Sequence, residues 1–147
     1  MQENIRMIQS VILFAGLAVA AVEDIHRKEV SSFPLIIMGF AGILLSIAAG
    51  EWKEWYVVIH FLPGILVLAT AWLTKETIGY GDGLVILCLG CFLTAGEILD
   101  VCMAAITLAG VVALVMLFVM RKSKKTPLPF IPFLFAGCVI LKLMQGG

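Results

Sequence analysis

Two aspartates stand beside long apolar stretches, and a pair of such groups would suit the hydrolysis of peptide bonds. Asp24 lies in the charged run at residues 23–29, and Asp82 lies in the glycine-rich run at residues 79–83. When two carboxyl groups face each other across a water molecule, their like charges split the titrations, so the pair can share one proton. The ionised member then takes a proton from the attacking water, and the protonated member hydrogen-bonds the scissile carbonyl oxygen. This chemistry requires no metal ion and no cofactor.

Each aspartate taken alone also fits a less specific role. Asp24 could be an interfacial anchor at the end of a helix, and Asp82 could belong to an ordinary glycine turn. A serine nucleophile is a weaker hypothesis. Apart from His26, no histidine lies near Ser31 and Ser32 in the sequence to act as the base that such a nucleophile needs. The stronger prediction is therefore that the two aspartates meet in the folded chain.

The composition points to the membrane. Hydrophobic residues make up 62% of the 147 residues and charged residues only 14%, where about 25% is usual in soluble domains. The mean hydropathy is +1.11, and ten basic residues balance ten acidic ones. These values exclude a disordered chain and leave no basic field for nucleic acid. Cys88 and Cys91 have zinc-like spacing, but no second pair completes a metal site. The sequence predicts an all-α, polytopic membrane protein with a single domain over residues 1–147.

Six apolar segments approach the length of about 20 residues that a helix needs to cross a bilayer. The predicted spans are residues 5–22, 33–49, 55–73, 84–95, 101–120 and 128–144. The fourth has only 12 residues, or about 18 Å of helix against a hydrocarbon core of about 30 Å. We therefore expect the glycine-rich stretch to dip into the protein, with Asp82 at the floor of a water-accessible pocket. Gly79, Gly81 and Gly83 would let the chain turn sharply and let a substrate backbone approach.

The basic residues favour an amino terminus outside the cell. With six spans, the inner loops hold seven of the ten lysines and arginines, and the outer side holds Arg6, Lys53 and Lys142. This asymmetry fits the positive-inside rule and favours a retained first helix, although residues 18–20 resemble the cleavage site of a signal peptide. Both aspartates then fall at the cytoplasmic face of the cell membrane.

The residues around both aspartates resemble a known family. Asp24 is followed six residues later by Val30, and Asp82 ends the sequence Gly79-Tyr80-Gly81-Asp82. The proline- and phenylalanine-rich stretch at residues 127–133 looks like the entry to the last helix of that family. Together these features resemble the type IV prepilin peptidases, which are GxGD-class intramembrane aspartyl proteases related to the archaeal preflagellin peptidases.

The resemblance implies that Asp24 and Asp82 are the catalytic pair. The family removes the short, charged leader of pilin-like precursors, so the implied partner is a membrane-anchored prepilin-like protein of a pilus or secretion system in the same lipid bilayer. Two positions depart from the family pattern. Leu84 stands where many members have lysine, and Ser31 and Ser32 stand where many have proline and asparagine. The cysteine-rich cytoplasmic insert of the larger members is absent from the sequence, so we expect no methyltransferase activity.

Two other classes of protein remain open from the residues alone. A small transporter or channel subunit would use the same two aspartates as a proton or cation relay. A structural membrane scaffold would tolerate substitution of both aspartates. Proton flux and peptide cleavage are the two activities that distinguish these classes.

Overall fold

The chain folds as a bundle of helices in the computed structural model, which describes residues 2–27, 30–51, 55–74, 79–119 and 128–146. Most of the predicted inner-loop charges, and Pro127 of the proline-rich stretch, lie outside the described residues. Within these ranges there are six α-helices and no strand, which confirms the predicted all-α class. The helices are α1 (Gln2–Arg27), α2 (Ser32–Ala48), α3 (Leu62–Leu73), α4 (Tyr80–Leu89), α5 (Ala95–Phe118) and α6 (Ile131–Gly146), and a 3₁₀ helix at Trp55–Phe61 leads into α3.

Two of the helices are long and apolar enough to cross a membrane. α1 has 26 residues and α5 has 24 residues, which correspond to about 39 Å and 36 Å of helix. The other apolar helices in the described ranges have 10 to 17 residues each. Length therefore supports two spans directly, and the expectation of six spans stays a prediction.

Two helices extend beyond the apolar segments that predicted them, and both extensions bear on the aspartates. α1 continues past residue 22 to Arg27, so Asp24 lies on a helix and not in a loop. α4 begins at Tyr80, so residues 80–83 of the glycine-rich stretch form the first turn of a helix rather than irregular backbone. Hydropathy marks where a helix meets an apolar environment, whereas backbone hydrogen bonding continues through polar residues and glycine.

The connection between α4 and α5 also differs from the prediction. α4 ends at Leu89 rather than at residue 95, and α5 begins at Ala95 rather than at residue 101. A capping box explains the early start of α5. The carboxylate of Glu97 accepts the backbone N–H of Thr94 at 2.8 Å, and the hydroxyl of Thr94 accepts the N–H of Glu97. These two bonds satisfy amides that a helix leaves unpaired at its first turn.

The helices pack around a single apolar core. α1 packs against α2 and α6, α4 packs against α2 and α3, and α5 packs against α6. Eight of the most buried core side chains come from four of these helices and are at most 2% exposed: Leu13, Leu17, Val85, Leu89, Ile98, Val101, Ile131 and Leu134. This core brings the end of α1 and the beginnings of α4 and α6 to the same end of the bundle.

Two glycines let α3 and α4 approach closely. A β-carbon on Gly64 would lie 2.5 Å from the Cα of Leu87, and a β-carbon on Gly83 would lie 2.7 Å from Cδ2 of Leu68. The first contact is with backbone, which cannot rotate away as a side chain can. Gly64 therefore fixes how closely α4, the helix that carries Asp82, can lie against α3.

Gly64→Ala is expected to destabilise the protein by about 1–3 kcal/mol, because the added methyl group overpacks the α3–α4 contact. Gly110→Ala in α5 is the matched control, since a β-carbon there meets nothing within 4 Å. The control should stabilise the helix by roughly 0.5–1 kcal/mol. Thermal unfolding in detergent, followed by tryptophan fluorescence, measures both changes. An unfolding midpoint of Gly64→Ala at or above that of the wild type would contradict this account of the contact.

Candidate active site

Asp24 lies one turn before the end of α1, and its side chain is only 8% exposed. Its Oδ2 accepts a hydrogen bond from the backbone N–H of Ile131 at 3.1 Å. Ile131 is the first residue of α6, so Asp24 satisfies an amide that the helix itself leaves unpaired. The next residue, Pro132, has no N–H, and the N–H of Phe133 donates to the carbonyl oxygen of Phe130 at 3.0 Å. The carboxyl group of Asp24 thus provides the hydrogen-bond partner for the first amide of α6.

Asp82 lies in the first turn of α4, just before the apolar residues 84–89 of that helix. Gly79 precedes the helix in an extended conformation, and its carbonyl oxygen accepts the N–H of Asp82 at 3.2 Å. The side chain of Asp82 is half-buried. Burial, and after it the negative charge of Asp24, raise the pKa of Asp82 to about 6. The structure therefore brings the two carboxyl groups close enough for their charges to interact.

One property that shared-proton chemistry needs is present at Asp82. Because the pKa of Asp82 is raised to about 6, its carboxyl group keeps a proton at a pH where ordinary aspartates are ionised. A carboxylic acid and a carboxylate held side by side can act together as general acid and general base. Within the described ranges, no three histidine, cysteine, aspartate or glutamate side chains are grouped so that they could hold a metal ion.

The three glycines around Asp82 face different neighbours. A β-carbon on Gly79 would lie 3.4 Å from Oδ2 of Asp82, and a β-carbon on Gly81 would lie 3.2 Å from Cγ2 of Val30. Gly83 is buried against α3. Gly81 and Gly83 thus allow the start of α4 to pack closely on two sides. The predicted approach of a substrate backbone to these glycines stays a prediction.

Two contacts of the aspartates and their neighbours were not predicted from the sequence. One is the amide of Ile131, and the other is Glu23, whose Oε2 accepts the N–H of Ser31 at 3.0 Å. The sequence contains a feature that points to the first contact. Proline is favoured in the first turn of a helix, so Pro132 predicts that a helix begins beside it and that its first amide needs a partner. The sequence does not indicate which distant residue provides that partner.

A polar cluster occupies the opposite end of the bundle. Nε of Arg6 lies 3.7 Å from Oε1 of Glu51, and the buried Gln9 donates to Oγ of Ser46 at 3.1 Å. These residues and Lys142 line a cavity of about 650 Å³, and neither predicted aspartate is among its described lining residues. Arg6 and Lys142, which the charge pattern assigned to the outer side, therefore lie at one end, and the two aspartates lie at the other.

Comparison with known proteins identifies the family of the chain. A family model described as the type IV leader peptidase family matches residues 11–141 of the 147-residue chain, a range that includes Asp24 and Asp82. No curated protein and no solved structure matches the chain. The family match confirms the resemblance that the residues around both aspartates indicated. The chain therefore belongs to the type IV leader peptidase family.

Proposed function

We propose that the protein is an aspartic endopeptidase that removes the leader peptide from type IV prepilin-like precursors. Membership of the leader peptidase family supports a peptidase that acts on such substrates. The observation that carries the aspartic mechanism is the interaction of two carboxyl groups. Burial together with the charge of Asp24 raises the pKa of Asp82 to about 6, so one member of the pair can hold a proton while the other is ionised.

In the proposed reaction, Asp82 donates the shared proton to the scissile carbonyl oxygen while Asp24 accepts a proton from water. The water oxygen bonds to the carbonyl carbon and gives a gem-diol intermediate. When the C–N bond breaks, Asp24 gives its proton to the leaving amine and one hydroxyl of the gem-diol returns a proton to Asp82. The pair regains its starting protonation after each cleavage, as a catalyst must. We expect no metal ion or cofactor to take part.

The hydrogen bond from the Ile131 amide supports a defined orientation for Asp24. A backbone N–H in a helix is a rigid donor, and the positive end of the α6 dipole points at the carboxylate. Oδ2 is held by this bond at 3.1 Å, and in the proposed reaction the water contacts Oδ1. The carboxylate therefore need not reorient as the water attacks.

We also propose that the protein is a multi-pass protein of the cell membrane, with six spans. α1 and α5 support this proposal by their length and apolar character. The outward face of α2 supports it as well, because a row of large apolar side chains is more than half exposed: Phe33, Ile36, Phe40, Leu44 and Ile47. Polar Gln9 and Ser46 are buried instead. Apolar groups outside and polar groups inside suit a lipid environment and not water.

The proposed orientation places the amino terminus outside the cell and the aspartates at the cytoplasmic face. It is supported by the position of Arg6 and Lys142 at the end of the bundle away from the aspartates. The substrate would be a precursor anchored in the same bilayer, cut just before its hydrophobic helix. We propose further that the protein has no methyltransferase activity. A methylated amino terminus on mature pilin, formed from S-adenosylmethionine and this protein alone, would contradict that part of the proposal.

A proton-coupled transporter is the competing function. A proton relay needs polar groups along its path. Between Asp82 and the polar cluster at the other end, α4 contributes the apolar side chains of Val85, Ile86 and Leu89, which are at most 3% exposed. This apolar layer favours the peptidase over the relay.

The proposed function is tested with the purified full chain in liposomes that also contain a leader-bearing, pilin-like precursor. We expect loss of the leader, seen as a gel shift, and a new amino terminus identified by mass spectrometry. Liposomes that contain the precursor without the protein are the control. Proton flux is measured in the same liposomes. Flux that is lost in Asp82→Asn, with no cleavage of the precursor, would favour the transporter instead.

A further inference from the structure

Glu23, the residue before Asp24, ties the start of α2 to α1. Its Oε2 accepts the backbone N–H of Ser31 at 3.0 Å. Ser31 stands at the cap position of α2 in an extended conformation, but its own hydroxyl makes no capping hydrogen bond. The carboxylate of Glu23 therefore holds the backbone at the position where α2 begins.

Val30, the residue before Ser31, contacts the start of α4. Its side chain is half-buried against the apolar core. Cγ2 of Val30 lies 3.2 Å from the position that a β-carbon on Gly81 would take, so the side chain lies directly against the backbone of α4. Gly81 is followed by Asp82, whose N–H closes the first turn of the helix. Because close-packed groups transmit displacements, we expect a shift of the backbone at Val30 to move the start of α4.

We propose that Glu23 is a positioning residue that sets Asp82 relative to Asp24 through the backbone of Val30 and Ser31. The two neighbouring carboxylates of α1 would then have different roles. Asp24 accepts the amide at the start of α6, and Glu23 accepts the amide of Ser31, next to the residue that packs on α4. The inference rests on the proposed peptidase function, because its measured quantity is turnover. A displacement of about 1 Å in a catalytic group is enough to slow a reaction strongly.

The test compares Glu23→Ala with Glu23→Gln in the full chain, purified in detergent and supplied with a leader-bearing precursor. Glutamine keeps an oxygen that can accept the Ser31 amide, and alanine removes it. We expect Glu23→Ala to lower kcat about tenfold with KM changed less than about twofold, because Asp82 is displaced while the binding of the substrate is not. Glu23→Gln should stay within about twofold of the wild type.

Thr94→Ala is the matched control at the opposite end of the bundle. Thr94 and Glu97 cap α5 by the same kind of bond between a side chain and a backbone amide. We expect this variant to lower the midpoint of thermal unfolding and to leave kcat unchanged. If Glu23 only stabilised a helix start, Glu23→Ala and Thr94→Ala would behave alike.

Val30→Ala tests the contact between Val30 and Gly81 and leaves Glu23 unchanged. It replaces Glu23→Ala as the test of the inference if Glu23→Ala does not fold. It should lower kcat to a similar extent, because it removes the contact with Gly81. The inference is overturned by wild-type kcat in Glu23→Ala, by equal losses in the alanine and glutamine variants, or by wild-type kcat in Val30→Ala where Glu23→Ala is unfolded. Failure of the wild-type chain to cleave a precursor would instead contradict the proposed function.

Discussion

We expect Asp24→Asn and Asp82→Asn each to lower the rate of leader cleavage by about a thousandfold or more. Asparagine keeps the size of the side chain, but it can neither take a proton from water nor hold the acidic proton. If the two carboxyl groups act as one unit, as proposed, the double variant should be no slower than either single variant. Single-turnover cleavage of a purified precursor, followed by mass spectrometry, measures these rates.

Asp100→Asn is the matched control for these two substitutions. Asp100 is exposed on α5, in the same part of the helix as the Thr94 and Glu97 capping box. The Asp100→Asn variant should cleave the precursor at the wild-type rate. A wild-type rate in Asp24→Asn or in Asp82→Asn would show that the substituted residue is not catalytic.

The unfolding temperature of Asp82→Asn separates loss of chemistry from loss of fold. The pKa of Asp82 is raised from its ordinary value of 3.8 to about 6, by burial first and by the charge of Asp24 second. The folded state therefore bears a cost for the ionised group that is absent below about pH 4, grows between about pH 4 and 6, and is complete above about pH 6. Asp82→Asn should raise the unfolding midpoint by roughly 2–5 °C at pH 8 and not at pH 4.

The second large effect is a loss of cleavage as the pH rises. The proposed reaction needs the proton of Asp82, and burial, followed by the charge of Asp24, raises the pKa of this group to about 6. Above that value the protonated fraction falls about tenfold for each pH unit, so kcat/KM should be about a hundredfold lower at pH 8 than its value near pH 5–6. Measurements of kcat/KM between pH 5 and pH 9 report the titration of the free enzyme.

Two controls show that the loss at high pH is a titration and not denaturation. Enzyme held at pH 8.5 and returned to pH 6 should regain full activity, and its unfolding midpoint at pH 8.5 should stay well above the assay temperature. A profile that is flat from pH 5 to pH 9 would contradict the assignment of the proton to Asp82.

Local patterns in the chain were enough to predict the helical class and to single out the two aspartates. Both aspartates lie beside apolar segments, and the glycines around Asp82 distinguish it further. The helix boundaries were predicted less well. The turns that carry Asp24 and Asp82 are helical, although hydropathy placed both residues in loops, because a helix continues wherever its backbone hydrogen bonds are made.

Residue types and their order thus determined on their own that this chain is helical and apolar, that Asp24 and Asp82 are its candidate pair, and which family it resembles. Tertiary structure alone decided what those carboxyl groups touch. Ile131 is 107 positions from Asp24 along the chain, and Val30 reaches Gly81 only because α1, α2 and α4 pack together. The raised pKa of Asp82, due to burial and the charge of Asp24, likewise depends on the tertiary structure. Desolvation and Coulomb interaction depend on distances in space, and those distances are set by the packing of the whole bundle.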